Sequence, residues 1–492
     1  MTTAPAQARA GAGDGAQPAR DELTSRLARH VLATRPEEIP PEARQRAVVR
    51  LVDALGCALA GHRAPAATQL LALAAGWGGR AEARILGTAT ALPSRTAAWA
   101  GSVLTRSFDF EPVSAEGPEG QEVAAHITGT TVPVALAEAE RRGASGGALL
   151  DALVLADDLT ARLAVGSGFD VYSGQDNTGT VNGIGATALA ARLAGIGTDG
   201  LIDAWGIAVQ QLGGSVAPIF DHAPAFCLPM AFAAQAGVTA VELAMIGYRG
   251  EDDPLGGRFG FLDRFCTEPR PDLMLERLGE VFCADRVVKP WSSCRASHPS
   301  LDAAARLHAR GVRLEDASRI RVHVTPRTAA GFVGAPWAPG RTPEVDAAFS
   351  LRFTAAAALA YGTVRPEHLL AATDPALGAA AAAVEIVPSL APGEYLTAEV
   401  EVLTHDGAIF RERVENPLGD RHHSPLTETQ VEEKFLANAE FAGLTPRRAR
   451  HALGLALDVP AASGVGPLLD ALTLPEGPTS GEQTIPVQRR TP

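Results

Sequence analysis

The sequence predicts a mainly α protein, an all-helical domain interrupted by a smaller α+β unit. Three observations carry that expectation. Apolar residues recur at helical spacing through most of the first half, alternation of period two appears only after about Pro271, and no internal repeat of fixed period occurs.

The elements follow in order. Pro41-Glu42 opens a segment in which Ala47, Val48, Leu51, Val52, Leu55 and Leu59 share one helical face, and Gly61 stops it. Thr96 to Thr105, Val132 to Glu140 and Gly147 to Val165 continue the pattern. Gly183 to Gly195 is almost wholly Ala, Leu and Gly, so it has little polar face and is expected to be buried. Ala233 to Ile246 repeats that style. Later, Arg319 to Thr325 (RIRVHVT) and Tyr395 to Thr404 alternate as half-buried strands. His405-Asp406-Gly407 reads as a hairpin turn leading into Ile409 to Val414. Between these strands, Val345 to Tyr361 and Pro366 to Ala372 read as helix, and Glu428 to Ala442 returns to helix after Ser424-Pro425. The expected division is a disordered tail over 1–20, a helical part over 21–271, the α+β unit over 272–420, a returning helical segment over 421–475 and a second tail over 476–492.

Composition narrows the function classes. The chain has 492 residues, 46% apolar and 20% charged, which is globular and long enough for two cores. The net charge of −13 disfavours nucleic acid and anionic membranes as partners. The first residues lack a secretory apolar core, and no apolar run reaches the ~18 residues that span a bilayer. Five cysteines, Cys57, Cys227, Cys266, Cys283 and Cys294, lack CxxC spacing. They read as thiols in a reducing cytoplasm rather than as disulfides or a zinc site. NTGTVNGIG follows no strand and is no dinucleotide fingerprint, and no GxSxG, P-loop or HExxH occurs. Asp109, Glu111, His126 and Asp176 have no diagnostic metal-ligand spacing. The acidic stretch Glu111 to Glu122 reads as a flexible edge or solvated insertion.

Several segments, in order, resemble the MmgE/PrpD superfamily. IPPEARQRAVVRLVDALGCALAG is similar to its first core helix, and SFDFEP (Ser107 to Pro112) stands at its D-F-D-D element. His126 in HITGTTVPVALAEAE resembles the histidine of its H-P-x-x-x-x-x-P helix start. TGTVNGIGATALAARLAG resembles its T-G-x-x-G-x-x-G-A-A-A-A-A helix, and VVKPWSSCRASHPSLDAA its K-P-Y-x-x-C-x-x-x-H-x-x-x-D-A segment. AAFSLRF and DGAIFRERVENPLGDRHHSPLTETQVEEKF match its last elements.

The resemblance implies a helical domain made by both ends of the chain, with an inserted α/β lid. It also implies a homodimer that needs no metal or organic cofactor, and the cysteine usage adds the expectation of a cytoplasmic protein. The implied chemistry is that of a lyase or isomerase on a small organic acid. A proton leaves the carbon next to a carboxylate or carbonyl, and dehydration, decarboxylation or epimerisation follows. His126 is the implied acid/base, Lys289 the anion anchor, and Asp109 steers a histidine or accepts a hydroxyl hydrogen. Arg295 is a second anion contact, Ser292 and Cys294 lie within reach, and His298 caps the next helix or orients Lys289. Departures from the pattern are Arg106 where many members have His, Glu111 for the second Asp, Asp176 for a site histidine, Phe226 for a site lysine and Pro229 for a further histidine. Asp176 and Phe226 are therefore expected to make the substrate pocket less favourable to anions. The expected substrate is less anionic and more apolar than a tricarboxylate, with His222 as a substitute histidine. The alternative is a scaffold that has lost catalysis and binds a partner.

Overall fold

The computed structural model describes residues 16–475. The expected tails fall outside these residues except at 16–20, where the first helix, Ala16–Ala33, has already begun. It forms because Leu23, Leu27, Ala28 and Val31 recur on one face, and all four are fully buried. That face packs on the helices Gly146–Val165, Thr198–Val209 and Pro271–Leu275.

The centre of the molecule is the helix Val181–Ala194. Helices Thr128–Arg142, Gly146–Val165, Thr198–Val209 and Leu228–Met245 surround it. Its small residues permit that crowding. A Cβ on Gly185 would lie 1.8 Å from Thr160 Oγ1, and one on Gly237 would lie 2.6 Å from Ala186 Cβ, so the backbones approach only because these positions carry no side chain. The segment Pro224–Met245 is long and apolar enough to cross a membrane by length and composition, contrary to the expectation from sequence. In this structure 67% of its most apolar window is buried, so packing on neighbouring helices accounts for the composition.

Helix Pro41–Gly61 forms as expected, and the late helix Glu428–Ala442 lies along it. Thr427 starts the latter, with its hydroxyl accepting from Gln430 N–H and Gln430 reaching back to Thr427 N–H.

The later β residues form a four-stranded sheet in the order Glu385–Pro388, Ala317–Val324, Ala398–Thr404, Ile409–Val414. The first pair is parallel and the others antiparallel, with Val322 opposite Val400. Ile320, Val322 and Val324 point inward, and helix His298–Ala309 packs against the sheet. The expected helix Val345 to Tyr361 is split into Pro343–Ala348 and Leu351–Tyr361, because Ser350 leaves the helix and its hydroxyl caps Phe353 N–H.

The reading of Glu111 to Glu122 as a solvated loop is corrected. Val113–Glu116 is a fully buried strand, flanked by Glu122–Val123 and by Asp285–Val287. Val113 pairs with Val287 and Ala115 with Asp285, so residues some 170 positions apart are joined next to the site. Glu116 tolerates burial because Arg421 Nη2 lies 2.6 Å from its carboxylate and His422 also contacts it.

Candidate active site

Helix Ser94–Arg106 ends in the segment Ser107 to Glu111. Phe108 and Phe110 alternate with Asp109 and Glu111, so the rings enter the core while the carboxylates face the helix end. Asp109 has φ of 47°, a conformation that costs about 1–2 kcal/mol for a residue with a Cβ. Three remote side chains hold it there. Ser292 Oγ donates to the Phe108 carbonyl at 2.8 Å, Lys289 Nζ to the Asp109 carbonyl at 2.7 Å and Lys434 Nζ to the Phe110 carbonyl at 2.7 Å. Lys434 also pairs with buried Asp53 at 2.7 Å and lies 3.7 Å from the centre of the Phe110 ring.

Arg106 is the centre of the cluster that results. Its Nη1 donates to Asp109 Oδ1 and, at 2.6 Å, to Glu111 Oε1, and it lies 2.9 Å from His126 Nδ1. His126 Nδ1 is also 2.7 Å from Glu111 Oε1. Nη1 carries two hydrogens. The carboxylates take both, which assigns the third contact: Nδ1 bears the imidazole proton and donates it to Glu111. Nε2 is left as a bare lone pair, and no hydrogen bond to it is found among the described residues.

Electrostatics agree with that assignment. Burial and then the Arg106 charge lower the His126 pKa against the opposing pull of Glu111, so the imidazole is neutral. Burial would raise the Glu111 pKa, but Arg106 and His126 hold it well below the usual carboxylate range. Burial would lower the Arg106 pKa, and Glu111 and Asp109 raise it instead.

Two further groups set the His126 backbone. Asn182 Nδ2 donates to the His126 carbonyl at 2.7 Å. Asp285 accepts from Thr128 N–H at 2.8 Å and from Thr128 Oγ1 at 2.7 Å, capping helix Thr128–Arg142 from a distant strand. Burial raises the Asp285 pKa to about 6.

Lys289 is fully buried, and its Nζ lies 2.8 Å from Asp109 Oδ1 as well as 2.7 Å from the Asp109 carbonyl. Two of its three donors serve Asp109, which leaves the expected anion anchor one donor. Asp109, Glu111 and His126 hold their ligand atoms within 4.8 Å of one another, a spacing that suits a metal ion. The positive charge at their convergence is that of Arg106, whose Nη1 already faces all three.

Family models for the MmgE/PrpD N-terminal domain and the MmgE/PrpD C-terminal domain match residues 25–274 and 291–458. The chain belongs to the MmgE/PrpD family. That family includes dehydratases and decarboxylases. The chain is also similar to a cis-aconitate decarboxylase-like protein, oryM, of Aspergillus oryzae (strain ATCC 42149 / RIB 40), 25% identical over 445 residues that cover 84% of this chain and 89% of the relative.

The other residues singled out by resemblance to MmgE/PrpD proteins divide into two groups. Phe226 meets the cluster directly. It is buried, with the Arg106 guanidinium 5.0 Å from its ring centre, so it covers the cation and does not merely lack a charge. Cys294 lies close enough for Asp109 to act on its thiol, which burial and then that carboxylate push up to about 11, so it is no thiolate nucleophile.

The rest serve other ends. Asp176 is buried and caps its own turn, accepting from Thr178 N–H at 2.9 Å and Thr178 Oγ1 at 2.7 Å, which corrects its reading as a substrate contact. Ser292 is likewise spent on the Phe108 carbonyl. His298 is fully buried, its Nε2 is 3.3 Å from the Ser293 carbonyl, and burial, Arg295 and Lys289 lower its pKa well below the ordinary value. It does not contact Lys289 by hydrogen bond; it is a neutral core histidine. His222 pairs with Asp346 at 3.1 Å and stacks on Phe349, which in turn meets Phe226, so two rings separate it from Arg106. It does not replace a site histidine.

Sequence reasoning missed Arg106 and Glu111 as participants by treating them as losses. It missed Asp285 and Asn182 altogether. The lysine of QVEEKF was a visible signal for Lys434, since a buried lysine in a helix demands a partner.

Proposed function

We propose that this MmgE/PrpD protein is a cofactor-independent lyase, or an isomerase of the same type, that removes a proton from the carbon next to a carboxylate or carbonyl. The single observation that supports it most is the Glu111–His126 pair, a neutral imidazole with Nδ1 tied to a carboxylate and Nε2 bare. In this reading Nε2 takes the proton. The electron pair left on carbon delocalises into the neighbouring carbonyl or carboxylate, beside the fixed charges of Arg106 and Lys289. Loss of hydroxide or return of the proton on the other face completes the reaction; where carbon dioxide leaves instead, its bonding pair takes the place of the C–H pair and the carbon skeleton takes up a proton. The two cations are matched by Asp109 and Glu111, so the cluster offers no surplus positive charge to a tricarboxylate. That supports a less anionic acid as substrate. The inserted lid over 272–420 and the homodimer belong to the same proposal. Exposed Trp77 and Phe232, linked through Trp99, support the latter.

The test is solvent deuterium incorporation into di- and tricarboxylates and into less charged 3-hydroxy and unsaturated acids. Exchange that vanishes in His126→Ala and falls at least ~100-fold in Glu111→Gln is the expected outcome. Exchange that survives His126→Ala overturns the reading. The second reading, a scaffold without catalysis, is favoured by Phe226 lying over Arg106. It predicts no exchange with any acid in wild type, and none after Phe226→Ala.

A further inference from the structure

Six buried side-chain nitrogen and oxygen atoms without hydrogen-bond partners fall within six consecutive residues, Ser293 to His298. Three are the whole set of Arg295 guanidinium nitrogens; the others are Ser293 Oγ, Ser297 Oγ and His298 Nδ1. Arg295 is only 8% exposed. The carboxylate within ion-pair distance is that of Asp420, 3.9 Å away and beyond hydrogen-bond reach. Asp420 is already spent. Arg286 binds both its oxygens, at 2.8 and 3.1 Å, and His422 N–H adds a bond of 2.9 Å. A donor-only cation in this position needs an acceptor that none of the described residues supplies.

We propose that Arg295 is the binding group of a buried site for a small carboxylate, with the Ser293 and Ser297 hydroxyls as supporting donors. The planar guanidinium fork matches a carboxylate through two parallel bonds. A single negative charge fits better than a phosphate dianion, because Glu122, Asp420 and Asp302 all act on Arg295. His298 takes no part as a donor, since its Nε2 serves the Ser293 carbonyl. Lys289 is engaged with Asp109, so Arg295 is the cation of this loop left for an organic acid. The carboxylate has two sources, the substrate's own or a free small acid. Only the first rests on the function proposed above.

The experiment is thermal unfolding of the full chain at constant ionic strength in sodium formate, acetate or chloride. Formate and acetate are expected to raise the wild-type midpoint by about 1–2 °C over chloride. Arg295→Met is expected to unfold no lower than wild type without formate, and to gain nothing from it. Arg295→Lys keeps the charge, lacks the fork and is expected to lose most of the shift. His126→Ala is expected to keep the shift in full, so failure of the proton-transfer reading leaves this site standing. An equal response to chloride, or an undiminished formate shift in Arg295→Met, overturns the proposal. With an exchanging acid in hand, formate that raises KM at constant kcat marks the substrate's carboxylate as the occupant. Formate that changes kcat at constant KM marks a free acid.

Discussion

Arg106 and Arg295 are the same residue type at nearly the same burial, 4% and 8% exposed, yet their surroundings are opposite. Arg106 faces two carboxylates, an imidazole nitrogen and an aromatic ring. Arg295 makes no side-chain hydrogen bond among the described residues. The proton is correspondingly held more tightly on Arg106, where acids outweigh burial, and less tightly on Arg295, where burial outweighs the acids around it. Burial alone therefore says little about what a charged group does. Whether its donors are matched from within the chain separates a fixed part of the field from a group able to receive a ligand.

The largest expected effect follows from removing the matched cation. Arg106→Met leaves buried Asp109 with Lys289 and buried Glu111 with the neutral His126 imidazole, and should cost about 3–5 kcal/mol in denaturant unfolding. Arg295→Met should cost nothing. Equal losses in the two variants break the comparison.

Asp109→Asn comes next. Asparagine accepts a positive φ as readily as aspartate, so the backbone penalty stays while the charge facing Arg106 and Lys289 goes. A loss of about 1.5–3 kcal/mol is expected, with the fold retained by circular dichroism. A loss below 0.5 kcal/mol, on the order of experimental scatter for a surface change, assigns the holding of Lys289 to the Asp109 carbonyl alone.

The pH dependence sharpens the contrast further. His126 and His298 have folded pKa values below their unfolded value of about 6.5, so the unfolded chain binds their protons more readily. Their stability contribution is present above that pH and is lost as pH falls through it, by up to ~1.4 kcal/mol per unit for each histidine. Asp285 has the opposite sign. Its folded pKa of about 6 lies above the unfolded value, so its contribution is present at low pH and is lost as pH rises toward and past 6. Urea unfolding of His298→Gln between pH 5 and 8 should show a flatter acid limb than wild type. An unchanged limb places the acid sensitivity elsewhere.

A smaller loss is expected of Ser292→Ala, which removes one neutral hydrogen bond to the Phe108 carbonyl and should cost about 1 kcal/mol. No measurable change would mean that Lys289 and Lys434 suffice to hold the segment.

Much of the fold was legible where one periodicity ruled a segment. Helix Pro41–Gly61, the Ala-rich Val181–Ala194 and the strands Ala317–Val324, Ala398–Thr404 and Ile409–Val414 all follow the pattern of their own residues. Glu385–Pro388 did not announce itself, since it is a short edge strand without buried residues. Val113–Glu116 was hidden for another reason. Its Ser, Glu and flanking Gly and Pro read as solvated, and the partners of Glu116, Arg421 and His422, come some 300 residues later. The same limit applied at the site. His126, Asp109 and Lys289 could be named through family motifs, but Arg106 and Glu111 looked like isolated losses, and only their side-by-side placement reveals one compensating the other. Sequence order carries no information on which charges meet when the meeting spans strands.

The three pinned carbonyls of Phe108, Asp109 and Phe110 have a further consequence for assembly. Their donors lie 184, 180 and 324 residues downstream. During synthesis the acidic segment emerges long before Ser292 and Lys289, and longer still before Lys434. At roughly 5–20 residues per second, Lys434 follows some 16–65 seconds behind. For that interval the chain holds Asp109 without the contacts that enforce its left-handed backbone. The constellation around Arg106 is thus completed only after Lys434 has emerged. A nascent chain halted before residue 434 would carry every acid and base of the cluster while lacking the last clamp that gives them their geometry.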